Sequence, residues 1–510
     1  MKRVTRSMLG GGVLLIATFL LGGPLAATGI EPADSVRAGG AVVMGNVAGD
    51  PLIEAARHSD RVALERLLAD GVDVNVRSGD GSTALLWASH WDDHHAAELL
   101  IEGGADVNAA NELGATPLWS ASMNGSETMV KRLLEAGADP NLPLRLGETP
   151  LMVASRSGNP AVVQALIEAG AEVNVTGPRS QTALMWAVAQ QHEAVVRVLL
   201  DAGADVHARS EVWTQMMAHQ PHSHPEHQRW FKHGGNSPLI FAARGGDLAS
   251  ARLLVAAGAD VNDMSASGVT ALTMAVYANF GTILMGDQGV GSEGRSRFLL
   301  AGQERFPQRY SDPGIIRFLL ENGADPNLGG EEFTGLHAAI MRQDEETLDL
   351  LLEFGADPNL PLGAWTPLRR LSPSDFYFHK GWVGASPLWL AARFGNPQIV
   401  EGLLSAGADP GFVHTGVYFG GGEGGVRSDR QEEITTPLMA AVGMSQTGNA
   451  WLPEPRASVR ERELMEIVRL LVDAGGNPAF ADPEGSMAID GARALGNEAV
   501  IEFLESRGDS

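Results

Sequence analysis

The sequence predicts an all-helical protein built as a stack of about eleven short helix pairs, with inserted segments confined to its C-terminal half. Three observations carry this: a short signature that returns at a fixed interval, a second signature that opens each unit, and an apolar stripe with helical spacing between them. The returning signature is "GADVN" and its close variants. Its leading glycines, Gly71, Gly104, Gly137, Gly170 and Gly203, are separated by steps of 33 residues, and a constant period of that size marks a repeat architecture. The series continues at Gly258, Gly323, Gly355, Gly407 and Gly475 in steps of 55, 65, 32, 52 and 68. The same unit therefore persists, lengthened by segments at about 211–232, 281–313, 363–382, 412–432 and 444–461.

Each unit opens on a pattern such as "STALLWA", "ATPLWSA", "ETPLMVA" or "QTALMWA". Its hydroxyl residue (Thr83, Thr116, Thr149, Thr182, Ser237, Thr270, Thr334, Ser386, Thr436) is placed to cap the free amides of a first turn. A following proline suits the first helical position, where its missing N–H costs nothing. A second helix follows, as in "NPAVVQALIEAGAEVN", where Val162, Val163, Ala165, Leu166 and Ile167 form an apolar stripe. The glycine that follows ends that helix in a left-handed conformation, and the Asp/Glu and Asn after it turn the chain toward the next unit. A weaker unit, "DPLIEAARHSDRVALERLLADGVDVN", precedes the regular ones, and "GSMAIDGARALGNEAVIEFLESRG" follows them. At 510 residues the chain is too long for one compact core, whereas a stack grows along one direction by burying each unit's apolar face against its neighbours.

A helix–turn–helix of 33 residues with "TPLxxA" in front and "GADxN" behind resembles the ankyrin repeat, and in particular exported bacterial members of that family. The resemblance covers roughly residues 47 to 510: regular repeats 1–5 over 47–210, repeats 6–10 with insertions over 211–482, and a capping repeat over 483–510. One departure is the histidine usual after the leucine of the opening signature, which survives only at His337.

The resemblance implies a non-enzymatic scaffold without cofactors that binds a partner protein through a concave groove and through the insertions, and that acts as a monomer. The groove is formed by the hairpin tips and the ends of the first helices. Carried onto this sequence, the helix ends are His90, Trp91, Met123, Asn124, Arg156, Gln190, Arg244, Tyr277, Met341, Arg342, Arg393 and Phe394. Aromatic, methionine and arginine side chains dominate that set, as they do at interface hot spots. A rival reading is an exported ligand-binding, metal-binding or enzymatic protein whose pocket is built by the insertions.

Composition narrows the classes further. The formal charge is −25, and lysine occurs only at Lys2, Lys131, Lys232 and Lys380, so nucleic acid and anionic membrane surfaces are disfavoured. With no cysteine, disulfides, thiolate nucleophiles and zinc ribbons are excluded. The opening "MKRVTRSMLGGGVLLIATFLLGGPLAATG" has the cationic, apolar and small-residue parts of an export signal over residues 1–29, followed by a linker at 30–46. Its apolar run is too short and glycine-rich for a membrane span. We therefore expect a periplasmic or secreted protein, with an N-terminal membrane anchor as the alternative.

The residues with chemical potential read mostly as structural. His219, His222, His224, His227 and His233 crowd "HQPHSHPEHQRWFKH", but this stretch is expected to be a connecting loop packed by Trp213, Trp230 and Phe231, without the fixed angles a metal needs. In "SHWDDHH", His90 and His94 are four apart, yet Asp92 and Asp93 fall at the turn between helices, so the two imidazoles should not share a face. The glycine clusters "GVGSEG" and "GGGEGG" fit the dinucleotide pattern but lack the strand–helix–strand unit it requires. "RRLSPSDFYFHKGW" brings Asp375, His379 and Lys380 together without a nucleophile–base pair.

Overall fold

The structure, a computed structural model, describes residues 50–218, 228–277, 313–329, 333–363, 380–419, 430–444 and 457–508. The export signal and linker expected at 1–46 lie outside these residues. So do most of the insertions at 281–313, 363–382 and 444–461, including Asp375 and His379, residues 420–429 of the insertion at 412–432, and with them both glycine clusters.

Twenty-two α-helices form eleven consecutive pairs among the described residues. They are α1 (Pro51–Arg57) with α2 (Arg61–Ala69), α3 (Ala84–His90) with α4 (His94–Glu102), α5 (Pro117–Asn124) with α6 (Glu127–Glu135), and α7 (Pro150–Ser157) with α8 (Pro160–Glu168). Next come α9 (Ala183–Ala189) with α10 (Glu193–Asp201), α11 (Pro238–Gly245) with α12 (Leu248–Ala256), α13 (Ala271–Tyr277) with α14 (Pro313–Glu321), and α15 (Gly335–Arg342) with α16 (Glu345–Glu353). The last pairs are α17 (Pro387–Phe394) with α18 (Pro397–Ser405), α19 (Pro437–Ala441) with α20 (Ala457–Asp473), and α21 (Ala488–Leu495) with α22 (Glu498–Gly508).

Each first helix packs on its partner, and from α1 to α21 each first helix also packs on the next first helix. The second helices do the same from α2 to α4 and from α6 through α22. One continuous buried cluster runs from Leu52 to Leu504, which is the core expected of units that cannot bury their own faces alone.

The caps form largely as the sequence implies. Thr83, Thr116, Thr149, Thr182, Thr270, Ser386 and Thr436 each accept a backbone N–H three residues on, at 3.1–3.3 Å. Ser237 makes no such bond. At Thr334 the hydroxyl and backbone N–H meet Nδ1 of His337 at 3.0 and 3.2 Å. His337 is fully buried, and burial pushes its pKa down to about 4, so the ring is neutral at physiological pH. Gly170 closes α8 at φ 93°, donating to Ile167 O at 2.9 Å while Ala171 donates to Leu166 O at 2.9 Å.

The asparagine of each "GADxN" does more than turn the chain. Asn141 Nδ2 donates to Gly170 O at 3.0 Å, and its Oδ1 accepts the N–H of Glu172 at 2.8 Å. Asn75, Asn108, Asn174, Asn262, Asn327 and Asn359 make the same pair of bonds to the following unit. The signature is therefore a staple between repeats. It is missing at His207, where Arg209 instead bridges to Gly235 O, Met264 O and the carboxylate of Asp263.

Two insertions contain strands, the first where a connecting loop was expected. The first is an antiparallel hairpin of β1 (Val212–Ala218) and β2 (Gln228–Gly234), in register from Val212 opposite Gly234 to Ala218 opposite Gln228. The β-formers Val212, Trp213 and Thr214 in "VWTQMM" and Trp230 and Phe231 in "QRWFKH" explain it. Reading the stretch only for its histidines hides that pattern. The second hairpin joins β3 (His414–Phe419) to β4 (Arg430–Thr435). It is anchored in the core: His414 Nε2 donates to Gly381 O at 2.8 Å, and Trp389 Nε1 donates to Thr435 Oγ1 at 3.0 Å. Trp382, at the edge of the neighbouring insertion, is fully buried beside Trp389 and Phe394.

Candidate protein-interaction surface

The first helices end on one side of the stack, beside the tips that join successive units. The tips form a ladder of their own: Glu112 N donates to Asp80 O at 2.9 Å, Arg145 N to Leu113 O at 2.9 Å, and Glu211 N to Arg179 O at 2.7 Å. Asp80, Leu113, Leu146, Arg179 and Val212 are one 33-residue step apart, so they occupy equivalent places on consecutive tips. Leu113, Leu146 and Val212 are exposed there. The row leads into the β1–β2 hairpin, where Trp213, Met216 and Trp230 are also exposed, Trp230 at 68%. Met216 stands directly opposite Trp230 in the register. Leu113, Leu146, Val212 and Met216 were missed in the sequence, and Trp230, expected with Trp213 to pack the loop, is exposed instead; the 33-residue spacing of the apolar tip positions was the signal available.

The expected helix-end residues divide by repeat. Trp91 is exposed and stacks edge-on with half-buried His90 at 4.8 Å, whose imidazole is held below its usual pKa by desolvation. Met123 is half-buried, and Asn124 is exposed but bonded back to Ser89 O and His90 O at 3.1 and 2.8 Å. Arg156 lies over Trp186 at 4.8 Å and pairs with Glu148 at 3.3 Å. Burial raises the pKa of the Glu148 carboxyl, while Arg156 opposes the shift. Gln190 and Arg244 are exposed.

Farther along, the expectation fails. Met341 is 2% exposed and belongs to the core, because at that repeat the side chain points into the stack. Tyr277 and Phe394 pack against the core, edge-on to Phe333 at 6.3 Å and Trp382 at 5.6 Å. Arg342 is half-buried and donates to Val276 O, and Arg393 is half-buried. The exposed members of the row, Trp91, Asn124, Gln190 and Arg244, thus lie in repeats 2–6.

Charge is divided between the two sides in repeats 4–6. The second helices and the turns after them expose Glu168, Glu172, Glu193 and Asp201. Of the five cations on α4 to α16 of the second row, Lys131, Arg132, Arg197 and Arg317 pair with Glu127, Glu98, Glu193 and Glu353, and Arg252 lies over Phe318. On the tip side, Arg145, Arg179, Lys232 and Arg244 have no carboxylate partner among the described residues. Arg179 rests over Trp213 at 5.5 Å and Arg244 over Phe241 at 5.8 Å. Desolvation holds Arg244 below the usual arginine range even though its side chain is exposed. A groove floor reconciles the two: solvent reaches the guanidinium, but protein on several sides strips part of its hydration.

His90 closes α3 and His94 opens α4, with Asp92 in the turn at φ 56° and Asp93 capping α4 through Ala96 N at 3.1 Å, so the two histidines belong to different helices. Among the described residues no group of three or more His, Asp or Glu side chains is arranged to hold a metal ion. His219, His222, His224 and His227 lie outside those residues, and His233 stacks on Trp213 at 5.4 Å. No described helix is long and apolar enough to cross a membrane.

The paired helices, their cap signatures and the tip ladder define a repeat protein of the class that recognises other proteins. The family model "Ankyrin repeats (3 copies)" matches residues 52–144, 142–210 and 308–414, together more than half of the chain, and "Ankyrin repeats (many copies)" matches 239–284. The chain belongs to the ankyrin repeat family. Among solved structures it is similar to the human ASB11 ankyrin repeat domain, with 26% identity over 54% of this chain and 99% of that one and a TM-score of 0.39. No curated protein matches. Ankyrin repeats generally mediate protein–protein interaction and are typically not enzymes.

Proposed function

We propose that this chain is an exported scaffold that holds a partner protein against its tip and first-helix side, centred on repeats 4–6 and the β1–β2 hairpin. The observation that carries this reading is the run of exposed apolar side chains from Leu113 and Leu146 through Val212 to Trp213, Met216 and Trp230. Exposed apolar side chains on both faces of a hairpin that leaves the stack, Met216 and Trp230 on one and Trp213 on the other, mark an interaction site, and the tryptophans are of the kind that dominate binding energy. Export rests on the cationic, apolar and small-residue order of residues 1–29. The sequence placed recognition in the insertions of repeats 6–10; the buried contacts of Trp382 and His414 favour a structural part for the described residues of those before repeats 9 and 10, while the β1–β2 hairpin carries exposed tryptophans.

The test is site-specific photocrosslinking in the native host. A photoreactive residue at position 216 or 190 should yield a discrete crosslinked protein, and the same residue at position 164 or 197 on the second-helix side should not. Equal crosslinking from both sides, or from the second-helix side alone, would overturn the reading.

A further inference from the structure

We infer that the partner segment bound on repeats 4–6 is acidic, an extended stretch in which Asp or Glu alternates with apolar residues. This inference rests on the proposed interaction side and adds the chemistry of what binds there. In a chain with 62 acidic and 37 basic residues, cations should find carboxylates easily, and on the second helices from α4 to α16 four of five do. Arg145, Arg179, Lys232 and Arg244 share the tip side of three consecutive repeats without doing so. Two carboxylates stand among them: Glu148, taken by Arg156 at 3.3 Å, and exposed Glu211. A partly desolvated guanidinium with no anion is costly to hold, and an incoming carboxylate relieves that cost with charge-assisted hydrogen bonds.

The aromatic faces beneath two of these groups prepare them for that task. Phe241 under Arg244 and Trp213 under Arg179 hold the guanidinium planes while leaving their N–H edges free. Trp230, exposed and next but one to Lys232 along β2, offers apolar surface beside a cation. A segment that alternates acidic and apolar side chains matches this order.

The net charge of −25 does not forbid an acidic ligand. The second-row carboxylates lie behind a further helix layer, about 8–10 Å away, and charges separated by more than the Debye length of roughly 8 Å at physiological ionic strength are largely screened. Local cations therefore decide the sign felt by a bound peptide. Binding should pass through a maximum with salt: at low ionic strength the whole chain repels an anion, and at high ionic strength the local pairs are screened.

The experiment uses the full exported chain and three fluorescein-labelled peptides of equal length, alternating Asp–Leu, Lys–Leu and Ser–Leu, followed by fluorescence anisotropy. The Asp–Leu peptide should bind more tightly than the other two. Arg244→Gln and Arg179→Gln should each weaken it by at least about tenfold, while Arg197→Gln, on the second-helix side, leaves it unchanged. Circular dichroism of each variant separates loss of binding from loss of fold. Tighter binding of the Lys–Leu peptide, equal binding of all three, or no effect of Arg244→Gln would overturn the acidic assignment. Crosslinking from position 216 would still stand in those cases, so failure of this inference is distinguishable from failure of the proposed function.

Discussion

Replacing Asn141 by alanine tests how the repeats are held to one another. The side chain makes two bonds to the next unit, to Gly170 O at 3.0 Å and from Glu172 N at 2.8 Å. Both are exposed, so truncation returns Gly170 O and Glu172 N to water and no buried polar group is stranded. The loss is then the net value of two solvent-exposed hydrogen bonds, about 0.5–1.5 kcal/mol each, or about 1–3 kcal/mol together. Because stability in a stack is a sum of unit and interface terms, the loss falls on the junction between repeats 3 and 4, and unfolding should lose cooperativity as well as midpoint. Urea denaturation followed by tryptophan fluorescence reads both, with Trp119 and Trp186 on either side of that junction. Asn141→Asp keeps the acceptor and should lose about half as much. Gln164→Ala, which removes an intrahelical bond to Glu168 at 2.7 Å, serves as the control. A change below about 0.5 kcal/mol for Asn141→Ala, within the range of ordinary surface substitutions, would refute the view that these asparagines staple the stack.

Three further outcomes follow from the same structure. His207→Asn restores the missing asparagine and should raise the urea midpoint by about 1 kcal/mol; a lower midpoint would show that the Arg209 bridge has made the staple redundant. His337 is buried and neutral, with its pKa at about 4 against an ordinary 6.5. The unfolded chain takes up this proton first, so stability is present above pH 6.5 and is lost as pH falls toward about 4. The loss is about 3 kcal/mol at most, at 1.36 kcal/mol per pKa unit. Comparing urea midpoints at neutral and acid pH for the natural chain and His337→Met should show a smaller acid loss in the variant. Gly158→Ala and Gly170→Ala both place a side chain at φ near 90°, a cost of about 1–2 kcal/mol. The new Cβ at 158 also lands 2.6–2.8 Å from the His192 ring, which is tied to Arg156 O at 3.0 Å, so thermal melting should show Gly158→Ala as the more damaging of the two.

The stack was legible in the sequence because each unit repeats its own instructions: a hydroxyl before the first helix, an apolar stripe and a left-handed glycine. The asparagine staple was not, since a side chain that turns its own loop and one that reaches the next loop leave the same letter in the signature. Part of the helix-end row was legible. His90, Trp91, Arg156, Gln190 and Arg244 follow from their positions in the unit. Met341, Tyr277 and Phe394 do not, because whether a helix end faces solvent depends on packing the unit itself does not encode, such as Trp382 against Phe394. The β1–β2 hairpin was hidden by its histidines, although Val212, Trp213, Thr214, Trp230 and Phe231 are residues that favour strands.

Hydrogen exchange on the complex with the crosslinked partner tests the central claim most directly. The account predicts slowed exchange at the tips around residues 145–147 and 178–181, along β1 and β2, and at the ends of α9 and α11, with α8 and α10 unchanged. Protection confined to α8, α10 and α12 would contradict it, because the partner would then lie on the acidic second-helix side.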